Sequence, residues 1–274
     1  MFHLIESLSN ENENKLNLLR ERIHRLQKVC VAYSGGVDSS LVAAISKEQL
    51  GDQAIAITGI SASLADHLRI EAKQQALWIG IKHQECITNE LEEPLYVNNS
   101  EQRCFACKNE LHKHIKEIAK VSNNSQVIDG VNHDDLGDFR PGINAAKKAG
   151  VQSPLAEEKI NKIAIRQISK ALGFPWWDKP AQPCLSSRFP YGEKIDAVSL
   201  KRVSDAEIWI KNKGFTNVRV RIYSSMAKIE LPENEINNFI LKIERKDLIS
   251  YFLSLGFKSV SIDLEGFISG KLNR

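Results

Sequence analysis

A chain of 274 residues with 42% hydrophobic and 26% charged residues and a formal net charge of +3 has the make-up of a globular protein with one large and one smaller domain. It lacks the apolar run of a membrane span and the basic-then-apolar start of a secretory signal, so a cytoplasmic protein without a membrane partner is expected, and so small a charge gives no footing for nucleic acid. Five cysteines in a reducing compartment read as core residues, metal ligands or reactive thiols and not as a disulfide framework.

Residues 9–28 place Leu16, Leu19, Ile23 and Leu26 on one face of a polar amphipathic helix. A β-branched run, Val29 to Val31, then enters Tyr33-Ser34-Gly35-Gly36-Val37-Asp38-Ser39-Ser40, and Leu41 to Ile45 reads as a buried helix. Strand, glycine turn and helix build a backbone anion site. Adjacent glycines open backbone angles closed to other residues, and the helix N-terminus adds roughly half a positive charge, so the expected guest is a phosphate or pyrophosphate. The stretch matches neither G-x-x-x-x-G-K-[ST], since no lysine follows the glycines, nor G-x-G-x-x-G; a tight turn with a Ser/Asp helix cap is the plain alternative. Strands at 54–58 and 81–87 around a helix at 64–78 predict an α/β fold with a doubly wound, mostly parallel sheet. Ligands then lie beyond the carboxyl ends of the strands, where Thr58 joins Ser34 to Ser40.

Residues 89–103 look irregular. Arg103-Cys104-Phe105-Ala106-Cys107-Lys108 opens a helix with Leu111, Ile115 and Ile118 on its apolar face, and cysteines three apart near a helix start favour thiolates, although one C-x-x-C is a weak signal. A strand at 127–130 leads into a polar loop, 131–142, whose His133, Asp134, Asp135 and Asp138 suit either magnesium and a nucleotide or a solvated surface. A helix over 159–172, stopped by Gly173 and Pro175, precedes residues 176–192, where Pro180, Pro183 and Pro190 exclude regular structure around Cys184. Long ordered loops of this kind are usually functional. From about Ile195 the order helix, strand, strand, helix, strand predicts a smaller C-terminal α+β domain, giving domains 1–180 and 181–274. Arg219 and Arg221 alternate onto one strand face as a phosphate or carboxylate fork requires.

The S-G-G-V-D-S loop resembles the PP-loop of the ATP pyrophosphatases. Together with G-V-N-x-D-D-x-x-D-x-R-P-G, S-P-L-x-E at Ser153 to Glu157, W-D-K-P-A-x-x-C-L-S-S-R-x-P-Y-G and R-V-R with Ile229-Glu230, it makes nearly the whole chain similar to the LarE family. That resemblance implies an enzyme that adenylates a carboxylate of pyridinium-3,5-biscarboxylic acid mononucleotide with ATP and converts it to a thiocarboxylate for the nickel-pincer cofactor. It implies ATP contacts at Ser34, Gly35, Gly36, Asp38, Ser39, Ser40, Thr58, Asp134 and Asp135, with Asp38 near magnesium, and sulfur carried by Cys184. Ser187, Arg188, Arg219 and Arg221 would clamp the substrate phosphate, and Glu207 and Glu230 would orient the substrate or move protons. Some family members sacrifice the loop cysteine and end with dehydroalanine. Others resemble this chain in adding a C-x-x-C, which implies a [4Fe-4S] cluster on Cys104, Cys107 and Cys184 whose free iron takes an extra sulfide from a sulfur donor. Cys30 and Cys86 are expected in the core. Family members assemble, implying a homo-oligomer. The rival classes are a tRNA thiolation enzyme, which wants a basic surface or zinc ribbon, an ATP-dependent amidating enzyme, which needs no third cysteine, and a nonenzymatic nucleotide-binding or zinc-scaffold protein.

Overall fold

The computed structural model describes residues 3–122, 124–137 and 141–268. In chain order the elements are α1 (Asn10–Leu26), β1 (Val29–Ala32), α2 (Val37–Leu50), β2 (Ala54–Ile60), α3 (Asp66–Ile79), β3 (Lys82–Ile87), α4 (Pro94–Val97), α5 (Arg103–Val121), β4 (Gln126–Ile128), α6 (Pro141–Lys148), α7 (Pro154–Glu157), α8 (Lys162–Ala171), α9 (Ala197–Asn212), β5 (Arg219–Tyr223), β6 (Met226–Glu230), α10 (Glu233–Lys242), α11 (Arg245–Ser254) and β7 (Ser259–Ile262). They pack as two units, Met1–Glu90 with Cys104–Gln182, and Leu91–Arg103 with Pro183–Arg274. Among the described residues no helix is long and apolar enough to cross a membrane.

The first unit is an α/β layer around a parallel sheet in the order β3-β2-β1-β4. Alternation along β1 sends Val29 and Val31 to one face, against Leu16, Leu19 and Ile23 of α1, Leu41 and Ile45 of α2 and Ile165 and Ile168 of α8. Cys30 and Ala32 go to the other, against Ile115 and Ala119 of α5 and Ala146 of α6. Burial on both faces explains why β1 reads as an unbroken apolar run. The chain leaves β1 toward β2 and β3 and returns to β4 on the opposite side. The loops after β1 and β4 therefore flank the point where strand order reverses, the place where open α/β sheets bind ligands. Side chains cap the helices that frame this region: Ser9 accepts from the Asn12 amide and Asn161 from the Ala164 amide.

One helix, α4, lies within residues 89–103, where irregular chain is expected, and α6 starts at the end of the expected polar loop 131–142. In both α4 and α6 a proline, which in sequence reads as a breaker, stands at the first helical position, where its missing N–H costs nothing.

In the second unit β5 and β6 form an antiparallel hairpin closed at Ser224, whose φ of +56° makes the turn, and β7 joins β6 in parallel. One helix is expected between the last two strands and two are present. Extended backbone at Ile243 and Glu244 breaks the run, letting Phe239 of α10 and Phe252 of α11 both reach the core. Phe215 meets Phe239 edge-on at 5.0 Å, and Trp209 stacks on Tyr251 at 5.4 Å.

Candidate functional site

The glycine loop is built as its sequence suggests. Gly35 has φ +69°, and a Cβ there would sit 3.0 Å from Cβ of Ala72 on α3, so both conformation and space require glycine. Gly36 is the N-cap of α2 and has no side chain, so no cap side chain takes up the first-turn amides. Ser39 Oγ donates to the Gly36 carbonyl at 3.1 Å and lies 3.1 Å from Ser34 Oγ, which fixes the shape of the turn. Ser40 is fully buried and donates to Gln75 Oε1 at 3.2 Å beside the Tyr33 hydroxyl, so it anchors the back of the loop and does not line it.

The β4 end closes in from the other side. A Cβ on Gly130 would fall 2.7 Å from the Ser39 nitrogen and 2.8 Å from its Cα, so backbone meets backbone there. Next to it, burial pushes the Asp129 carboxyl up, against a hydrogen bond from Ser153 and another from the Val131 amide. The following residues make an Asx network: Asn132 Oδ1 accepts from the Asp134 and Asp135 amides, and Asp135 Oδ2 accepts from the Asn132 amide at 3.1 Å. Asp134 accepts the Lys162 amide at 2.8 Å, joining this loop to the start of α8. Asp138, expected in the same loop, lies outside the described residues.

Thr58 is only 3% exposed. Its hydroxyl donates to the Tyr33 carbonyl at 2.9 Å and lies 2.8 Å from His83 Nε2. With that one proton used, the imidazole must donate, and burial lowers the His83 pKa. Thr58 thus ties three strands together just behind the loop.

Two lysines reach the loop without having been singled out in sequence. Lys162 Nζ contacts both oxygens of Asp38, at 2.8 and 2.6 Å. Lys179 pairs with Glu71 and donates to the Gly35 carbonyl at 3.5 Å. Lys179 stands within W-D-K-P-A, a signal that was available; nothing local marks Lys162.

In the second unit Cys184 is exposed and caps a short 3₁₀ turn, Leu185–Arg188. Arg188 Nη1 donates to the carbonyls of Pro183 and Cys184, at 2.9 and 3.2 Å, and to Ser187 Oγ, gripping the backbone around the cysteine. Its other edge makes a fork with Glu207, at 2.8 and 3.0 Å, and Glu207 also accepts the Val220 amide. Arg221 pairs with Glu230 at 2.5 Å and donates to the Ser187 carbonyl at 3.0 Å. The structure therefore brings Ser187, Arg188, Arg221, Glu207 and Glu230 together, with both arginines already holding carboxylates. Arg219 differs: its guanidinium lies over the Phe267 ring at 3.8 Å, and burial, then the neighbouring Arg188 and Arg221, bring its pKa down to about 10 against the pull of Glu207 and Glu230. Glu230 Oε2 is buried without a hydrogen-bond partner.

A clasp missed in the sequence holds this loop. The Tyr96 and Ser186 hydroxyls are hydrogen-bonded, Asn99 donates to the carbonyls of Phe189 and Pro190, and Arg103 donates to Asn99 Oδ1 at 2.6 Å and to the Ser186 carbonyl at 2.9 Å. Cys104 is exposed and Cys107 half-buried on the first turns of α5. Among the described residues no group of three or more His, Cys, Asp or Glu side chains is arranged to hold a metal ion. Cys30 is fully buried and Cys86 partly so, and burial raises both thiol pKa values.

No family model matches the chain. It is 51% identical over 262 residues to an uncharacterised protein of Synechocystis sp., covering 96% of this chain and 98% of that one. To the pyridinium-3,5-bisthiocarboxylic acid mononucleotide synthase of Lactiplantibacillus plantarum it is 34% identical over 249 residues, 90% of each chain. An uncharacterised protein of Methanocaldococcus jannaschii is 31% identical over 251 residues, covering 91% of this chain and 94% of that one.

Proposed function

Since the chain belongs to the LarE family, we propose that it is an ATP-dependent sulfur transferase that adenylates a carboxylate of pyridinium-3,5-biscarboxylic acid mononucleotide and converts it to a thiocarboxylate for a nickel-pincer cofactor. A carboxylate is a poor electrophile because its leaving group would be oxide. Its oxygen attacks the α-phosphorus of ATP, the bond to the bridging oxygen breaks, and pyrophosphate leaves with the electron pair into the Gly35-Gly36 cradle and the positive end of α2. Asp38 and Asp134 are hard oxygen donors of the kind magnesium takes, and would hold it at the phosphates. The Cys184 thiolate then attacks the acyl carbon and AMP departs, leaving a thioester; loss of the Cys184 Cα proton with cleavage of its Cβ–Sγ bond frees the thiocarboxylate and leaves dehydroalanine at that position.

Arg219 is the guanidinium offered to the substrate phosphate, because Arg188 and Arg221 already hold carboxylates and shape the loop around Cys184 and Ser187. Glu230, with its spare oxygen, is better placed than Glu207 to accept a proton or a donor from the substrate. Cys104, Cys107 and Cys184 supply soft thiolate ligands that suit an iron–sulfur cluster, and such a cluster would provide a replaceable sulfide in place of the cysteine's own sulfur.

The observation that carries this reading is the exposed Cys184 thiol, held at the head of a turn whose backbone Arg188 grips. The test is ATP and the mononucleotide dicarboxylate with C184A, following pyrophosphate release and product mass. Pyrophosphate is expected to form without thiocarboxylate; loss of both together would overturn the role given to Cys184.

A further inference from the structure

The glycine loop lacks the lysine that follows the glycines of a G-x-x-x-x-G-K-[ST] loop, yet a polyphosphate needs concentrated positive charge as well as backbone amides. We propose that Lys162 is that missing lysine: its ammonium binds the pyrophosphate portion of the nucleotide, and in the nucleotide-free protein it rests on Asp38. The inference builds on the reading of the loop as an ATP site.

Three observations carry it. Asp38 is the second residue of α2, so Lys162 Nζ, bonded to both its carboxylate oxygens at 2.8 and 2.6 Å, already stands over the first turn where an anion would sit. The backbone beneath this lysine is fixed: Lys162 opens α8, its amide donates to Asp134 at 2.8 Å, and Asn161 caps the same helix end. Only the flexible four-carbon stem need move to carry the charge from a carboxylate to a phosphate oxygen, and a compact ammonium with three donors suits either. The pair is also partly open to solvent, with side chains 34% and 22% exposed, and pairs so exposed add little to stability. A purely structural reason for bringing Lys162 across 124 residues of sequence is correspondingly weak. Lys179 does not fill the role, because it pairs with Glu71 and holds the rear of the loop at the Gly35 carbonyl.

The test separates an ion pair from an anion ligand. In D38N the pair is gone, so any difference between D38N and D38N/K162Q reads only the action of the ammonium on the anion. Inorganic pyrophosphate binding, measured by calorimetry in EDTA, is expected to be at least about tenfold tighter in D38N than in the double variant. Equal affinities would overturn the inference and leave the ATP reading standing. If the double variant does not fold, K162R and K162Q replace it in the otherwise unchanged chain: retention in the first with loss in the second supports the inference, and equal binding overturns it. Failure of the unsubstituted protein to bind either pyrophosphate or magnesium-ATP would overturn both readings together.

Discussion

The two units commit their cations in opposite ways. In the second, Arg188 with Glu207 and Arg221 with Glu230 are buried pairs, with side chains 6% and 3% and then 4% and 0% exposed, forked or close and knitted to backbone carbonyls. In the first, Lys162 with Asp38 and Lys179 with Glu71 are pairs on flexible stems at the rim of a loop, with more of each exposed. A buried pair cannot lose one partner without stranding a charge, so it serves as framework. A half-exposed lysine pair exchanges its partner at small cost and suits a site whose ligand comes and goes.

The largest effect that would break this contrast is on stability. E207Q leaves Arg188 buried against a neutral amide, and urea unfolding should show a loss of about 3–5 kcal/mol; a loss as small as that of K162Q would remove the framework role. Next comes acid. His112 on α5 is buried with both ring nitrogens unpartnered, and burial, then Lys108 and Lys116, bring its pKa down to about 4 from 6.5. The unfolded chain binds the proton more readily, so stability falls as pH drops from about 6.5 to about 4, by about 3 kcal/mol in full. Melting curves at the two ends of that window should converge in H112L; an unchanged difference would place the acid sensitivity elsewhere. G130A pushes a methyl group against the Ser39 backbone and should cost about 1–3 kcal/mol while raising KM for ATP more than it lowers kcat. R219K should melt as the parent does, since no buried carboxylate is stranded, yet bind the mononucleotide about tenfold more weakly, read by calorimetry. The smallest expected change is the stability of K162Q, within about 1 kcal/mol of the parent.

What the sequence showed and what it hid follow from range. Ser34 to Ser40 are legible because strand, glycines and helix are consecutive and each obeys a local rule. The helix over 162–171 is legible from its period and from Gly173 beyond it. Lys162 is not, since its partner is 124 residues away and an isolated lysine at a helix start carries no signal. Thr58 stands at the expected sheet edge, but its hydroxyl serves Tyr33 and His83, a cross-strand commitment that periodicity cannot express. Arg219 and Arg221 do alternate on one strand, but only the fold reveals that one is neutralised by Glu230 and the other is not.

The clasp of Leu91–Arg103 onto the Cys184 loop bears on how this chain can be made and divided. Tyr96 and Ser186 are 90 residues apart, so the segment that shapes the cysteine loop leaves the ribosome long before the loop exists and has to wait for it. A gene fragment encoding residues 183–274 would carry the cysteine and the arginines but not Tyr96, Asn99 or Arg103. The C-terminal part is therefore no portable cassette: grafted onto another nucleotide-binding domain, it would bring a thiol whose loop had lost its mould.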